Sequence, residues 1–167
     1  MMSEPKWLSL ARAEIGTLET PGGADNPKIL SYAKDAGVGP VVNHDSVAWC
    51  AAFVGAMLVR SGISGSGKAN ARSYEEWGKP LRSPVLGSIV VLSRPPNAWE
   101  GHVGFCVGAS DTLVQLLGGN QRDSVMIASF PRNRVVAYRW PIDQFIQPEW
   151  VSPKLEVLNA IISPTDA

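Results

Sequence analysis

Apolar residues in the first half of the chain recur every three or four positions, the spacing that puts them on one face of a helix. Trp7, Leu8, Ala11 and Ile15 predict an amphipathic helix that opens after Ser3-Glu4-Pro5 and stops at Gly16. Asn26-Pro27 then supplies a cap and a first residue for a second helix carrying Ile29, Leu30 and Ala33 until Gly37. From about Asp45 or Ser46 a third begins, with Cys50, Phe53, Val54, Met57 and Leu58 on one stripe, and Gly62 ends it. A shorter helix is expected over residues 69–77, closed by Gly78.

The second half changes period. Residues 88–92, 103–107, 113–117 and 135–140 are short β-branched or apolar runs separated by turns, which predicts an antiparallel sheet. Helices first and strands second give an α+β fold with the helices packed on the sheet. One domain is expected over residues 1–150, followed by a tail over 151–167 with a helix at 153–161.

Composition narrows the function. The 167 residues suffice for one core, and fifteen basic against fifteen acidic side chains leave no positive field to hold nucleic acid or an anionic membrane. No apolar stretch is long enough to span a bilayer, and residues 1–6 lack the pattern of a secretory signal, so synthesis in a cytoplasm is expected; a monomer is expected as well. Cys50 and Cys106 read as free thiols. Six tryptophans and thirteen prolines point to long ordered loops rather than disorder.

Cys50 near the start of an apolar helix and His102 in Gly101-His102-Val103-Gly104-Phe105 are the candidate chemistry. Unsatisfied N–H groups at a helix start favour thiolate, and a histidine can take the thiol proton and return it. On a strand, His102, Gly104 and Cys106 share one face, and Val103, Phe105 and Val107 the other, core-facing one. A turn centred on Asp111 pairs Ala109 with Leu113 and therefore His102 with Asn120, whose amide oxygen would orient the imidazole. A bulge at Gly118-Gly119 would shift that register by one. Cysteine, histidine and an orienting amide is a recurrent set for acyl transfer. Glu19, Asp45, Trp49, Trp99 and Gln121 are the candidate substrate contacts, although a tryptophan at position 49 is more often expected to pack than to line a groove. His44 beside Asp45 lacks the further ligands that a zinc site with Cys50 would need, so no metal and no cofactor are expected.

Each of these residues also has a plain structural role. A cysteine on an apolar stripe is more often core than nucleophile, Cys106 is expected to be structural, and Gly118-Gly119-Asn120-Gln121 could serve as a turn alone. The ordered series Trp49-Cys50-Ala51-Ala52-Phe53-Val54, Gly87-Ser88-Ile89-Val90-Val91-Leu92, Gly101-His102-Val103-Gly104-Phe105 and Gly118-Gly119-Asn120-Gln121 resembles the motifs of papain-like cell-wall hydrolases. The similarity is to a phage-associated branch of the NlpC-type peptidases, which adjoin the CHAP amidohydrolases, and covers roughly residues 5–141, including Glu14-Ile15-Gly16, Glu19 and Gly22. It implies a papain-like fold and a peptidoglycan endopeptidase or N-acetylmuramoyl-L-alanine amidase, with Cys50 as nucleophile, His102 as base and Asn120 as third residue. It further implies a phage endolysin held in the host bacterial cytoplasm until a pore-forming protein releases it to the wall. Where many NlpC-type peptidases carry an aspartate that binds a peptide amine, this chain has Trp49. A catalytically silent phage structural or binding module, and a cysteine amidase or peptidase on a non-wall substrate such as a secreted effector, are the competing readings.

Overall fold

The apolar stripes of the first half fold as three helices, α1 (Lys6–Ala13), α2 (Pro27–Asp35) and α3 (Cys50–Arg60), in a computed structural model that describes residues 3–157 and 160–162. Asn26 caps α2 as its chemistry suggests, its side-chain oxygen accepting from the Lys28 N–H at 2.9 Å. α1 and α2 each bury one face, whereas α3 is buried from Cys50 to Leu58, as suits a helix with neighbours on every side.

α3 starts later than the apolar spacing predicts. Asp45 is drawn away from a capping role, because its Oδ2 accepts from the backbone N–H groups of Thr20 and Asn26 at 2.8 and 2.9 Å. It ties the loop before α2 to the segment before α3, and Cys50 becomes the first residue of α3. The helix predicted over 69–77 is a 3-10 helix, Ala71–Glu76.

Among the described residues seven strands make one sheet: β1 (Lys79–Leu81), β2 (Ile89–Arg94), β3 (Asn97–Ala109), β4 (Leu113–Gln121), β5 (Ser124–Pro131), β6 (Val135–Trp140) and β7 (Ala160–Ile162). Their order is β1-β6-β2-β3-β4-β5-β7; the first six pair antiparallel, and β7 adds parallel to β5. The fold is therefore α+β in class, with α1–α3 packed on the face of the sheet that carries Val103, Phe105 and Val107.

β5 escaped the sequence reading for a local reason. The hairpin from β4 turns through Arg122 and Asp123, both at positive φ (50° and 59°), in a two-residue loop that glycine or asparagine usually marks. In the tail, residues 153–157 form no helix, and 160–162 are strand; 158 and 159 lie outside the described residues. The tail is tied down by the Gln115 amide, which donates to Glu156 O at 2.8 Å and accepts from Glu156 N–H at 2.6 Å.

Alternation along β3 separates two cores. Val103, Phe105 and Val107 join α1–α3 in the larger one, where Phe53 meets Phe105 at 6.3 Å between ring centroids. Val90, Leu92, Cys106, Val114, Leu116, Ala128 and Phe130 form the smaller one on the opposite face. α3 comes close to β4 at Gly119, where a Cβ would lie 2.5 Å from the Trp49 ring and 2.8 Å from the Phe53 Cβ. Gly119→Ala is accordingly expected to destabilise the fold by about 1–3 kcal/mol through overpacking, read from urea unfolding midpoints.

Candidate active site

The predicted register between β3 and β4 holds in the middle and fails at both ends. The turn is one residue longer than expected, so Ala109 pairs with Val114 rather than Leu113. An irregularity between Cys106 and Gly108 restores the expected alignment, with Cys106 opposite Leu116 and Phe105 opposite Leu117. Beyond Leu117 the β3–β4 pairing stops, and a second irregularity, between Gly118 and Gln121, shifts the β4–β5 ladder. Asn120 sits in that irregularity at φ 58°, a conformation asparagine tolerates, and is not the residue bonded to His102. The shift brings in Gln121 instead, whose Oε1 lies 2.8 Å from His102 Nε2.

Gln121 fixes the state of the imidazole. Its amide nitrogen donates to Leu116 O at 3.2 Å and to Met126 O at 2.8 Å, which uses both N–H bonds and leaves only the oxygen for His102. His102 Nε2 must therefore carry the hydrogen, and Nδ1 is left as a bare lone pair. Nδ1 is buried and has no hydrogen-bond partner, the one such side-chain atom among the described residues. Glycine at 118 makes room for this clamp, since a Cβ there would run into Gln121 Oε1. His102 is 0% exposed, and burial lowers its pKa to about 4 against the opposing effect of the Gln121 bond; Arg134 and Arg94 lower it further.

Cys50 reaches the same stretch of β3 from the helix side. Its sulfur faces the backbone N–H groups of Val103, the residue after His102, and of Ala51 and Cys50 itself. Helix-start donors of this kind favour thiolate, as does the charge of Arg94, yet burial outweighs them and holds the thiol above its ordinary value. The residue is 6% exposed. The resting pair is therefore neutral thiol and neutral imidazole, with no hydrogen bond between them. Cys106 is also buried, its thiol pushed up to about 12 by desolvation and directed at Gly108 O, 3.6 Å away.

The other candidates divide. Trp49 does not line a groove: it is buried, stacks on Tyr32 at 6.1 Å and donates through Nε1 to Glu19 Oε1 at 2.8 Å. Asp45 is buried and committed to loop N–H groups, and Gln121 is buried and committed to His102, so neither is free to meet a substrate. Glu19 stays partly accessible, and burial, with Asp123 and Asp45 nearby, raises its pKa against the Trp49 bond. Trp99, at the β2–β3 hairpin, is 71% exposed. Sequence reasoning missed the Val103 N–H and the charge of Arg94; only strand pairing and the end of β2 bring them to the cysteine. Among the described residues no group of three or more Cys, His, Asp or Glu side chains could hold a metal ion, and no helix is long and apolar enough to cross a membrane. No family model matches the chain, and a search of curated proteins likewise returns no match.

Two consequences are measurable. An imidazole that titrates near 6.5 unfolded and about 4 folded binds its proton more readily in the unfolded chain, so its contribution is intact above pH 6.5 and lost as pH falls toward 4. Wild-type unfolding free energy should fall by about 3 kcal/mol more across that window than that of His102→Asn, followed by urea titration at each pH. Iodoacetamide should modify Cys50 slowly at neutral pH and faster only above its ordinary value of 9.0, while Cys106 stays unmodified in the folded protein; peptide mass mapping distinguishes the two.

Proposed function

We propose that this chain is a papain-like cysteine hydrolase that cleaves an amide bond of peptidoglycan. The observation that carries the reading is the bare, buried Nδ1 of His102, held in one tautomer by Gln121 beside the stretch of β3 that receives the Cys50 thiol. A histidine serving only as packing would gain by satisfying both ring nitrogens. The motif order around Cys50, His102 and Gln121 supports the wall as substrate and the NlpC/CHAP type as the architecture.

In this mechanism His102 Nδ1 takes the thiol proton as Sγ attacks the amide carbonyl carbon. The same proton passes to the leaving amine as the C–N bond breaks, leaving a thioester on Cys50. Water then attacks the thioester, giving a proton to Nδ1 that returns to Sγ as the acid departs. Gln121 is a positioning residue, and the Val103, Ala51 and Cys50 N–H groups offset the charge on sulfur as it forms. The wall bond is that of a stem-peptide endopeptidase or an N-acetylmuramoyl-L-alanine amidase, and the setting a phage lysin that works as a monomer and reaches the wall from the host cytoplasm after release.

The burial of both groups favours a second reading, a catalytically silent module of a phage particle. Purified sacculi separate the two. Wild type is expected to release muropeptides and Cys50→Ala to lose at least about 1,000-fold in rate. New muramic acid ends identify an amidase and new stem-peptide amines an endopeptidase by mass spectrometry. Equal rates for the two proteins would sink the nucleophile assignment, and inert wild type would leave the silent module.

A further inference from the structure

We propose that Arg94 is a specificity residue that binds a free carboxylate of the substrate next to the scissile amide. This deepens the hydrolase reading and rests on it for the class of substrate.

Arg94 closes β2 and pairs with Asn97 at the hairpin, two positions along from Leu92, which lies directly opposite His102. Arg94 is exposed and makes no hydrogen bond or ion pair among the described residues, although most other arginines are engaged. The nearest carboxylate in sequence, Glu100 on the same hairpin, accepts from Asn97 Nδ2 at 3.0 Å instead.

A second guanidinium stands close by. Arg134 donates through Nε and Nη2 to Ser93 O, at 3.0 and 2.9 Å, and lies 5.7 Å over the Phe130 ring. That ring is in turn 5.4 Å from the His102 ring. Burial lowers the pKa of Arg134 and the charge of Arg94 lowers it further, so the two cations repel; the charge of Arg94 also acts on both Cys50 and His102. Like charges gathered at one end of a sheet are costly unless an anion joins them. Arg134 is anchored to backbone, which leaves the exposed Arg94 as the fork able to donate two parallel hydrogen bonds to a carboxylate.

Such a carboxylate occurs in wall peptides, where γ-linked D-glutamate leaves its α-carboxyl free beside the peptide bond. The test uses N-acetylmuramyl-L-alanyl-γ-D-glutamyl-L-lysine amide and its D-isoglutaminyl counterpart, which differ only in that carboxyl. Wild type should favour the free acid by about tenfold or more in kcat/KM, the scale of a charge-assisted pair. Arg94→Gln should bring the ratio to about 1, and Arg94→Lys should restore part of it. Equal turnover of both peptides by wild type, or a ratio untouched by Arg94→Gln, overturns the assignment. If wild type cuts neither peptide nor sacculi, the hydrolase reading fails separately. Calorimetric titration of Cys50→Ala, with and without Arg94→Gln, by the same two peptides then decides on Arg94: an Arg94-dependent preference for the acid supports it, and absence of preference or of binding overturns it.

Discussion

The site depends on one buried amide. Gln121 spends both N–H bonds on the carbonyls of Leu116 and Met126, on its own strand and on β5, so its oxygen has no choice of partner. Each of these groups is out of water, where a lost partner costs about 1–3 kcal/mol, and the side chain is thereby held in one orientation. That orientation decides the tautomer of His102, and the tautomer leaves Nδ1 as an acceptor. The irregularity at Gly118–Gln121 is the backbone condition for all of it, since a regular ladder would have continued the register that sets Asn120 opposite His102.

A balance of desolvation against dipoles governs the thiol. α3 presents its first N–H groups to Cys50, the feature expected to lower a cysteine pKa, but α3 is packed so closely that the same residue loses its water. Desolvation prevails for sulfur and, in the opposite sense, for His102, and both effects favour the uncharged pair. In the mechanism proposed above, charge is then created only when a substrate carbonyl arrives. The positive end of β2 and the anchored Arg134 supply the field in which that happens.

Much of the frame was legible because it rests on local periodicity. The stripes of α1, α2 and α3 and the bounds of β6 follow from side-chain spacing, and Asn26-Pro27 announces its own helix start. β5 was hidden by a turn made of Arg122 and Asp123, which lacks the glycine or asparagine that usually marks a two-residue hairpin, and the tail strand β7 needs β5 to pair with. Asp45 and Gln121 looked like surface chemistry beside a cysteine and proved to be buried supports, because polar atoms flanking a helix start are drawn into satisfying loops and strand ends, while Trp49 packs, the more expected of its two readings.

By itself the sequence determined an α+β chain, two free cysteines, and a cysteine and histidine set on a helix start and a strand, because these follow from composition and from repeats of two and of three to four residues. Tertiary structure decided which amide holds the imidazole, which face each group occupies, and whether the thiol is charged. Those outcomes turn on a one-residue shift in strand register and on the water excluded by packing, and neither leaves a mark in the order of residues.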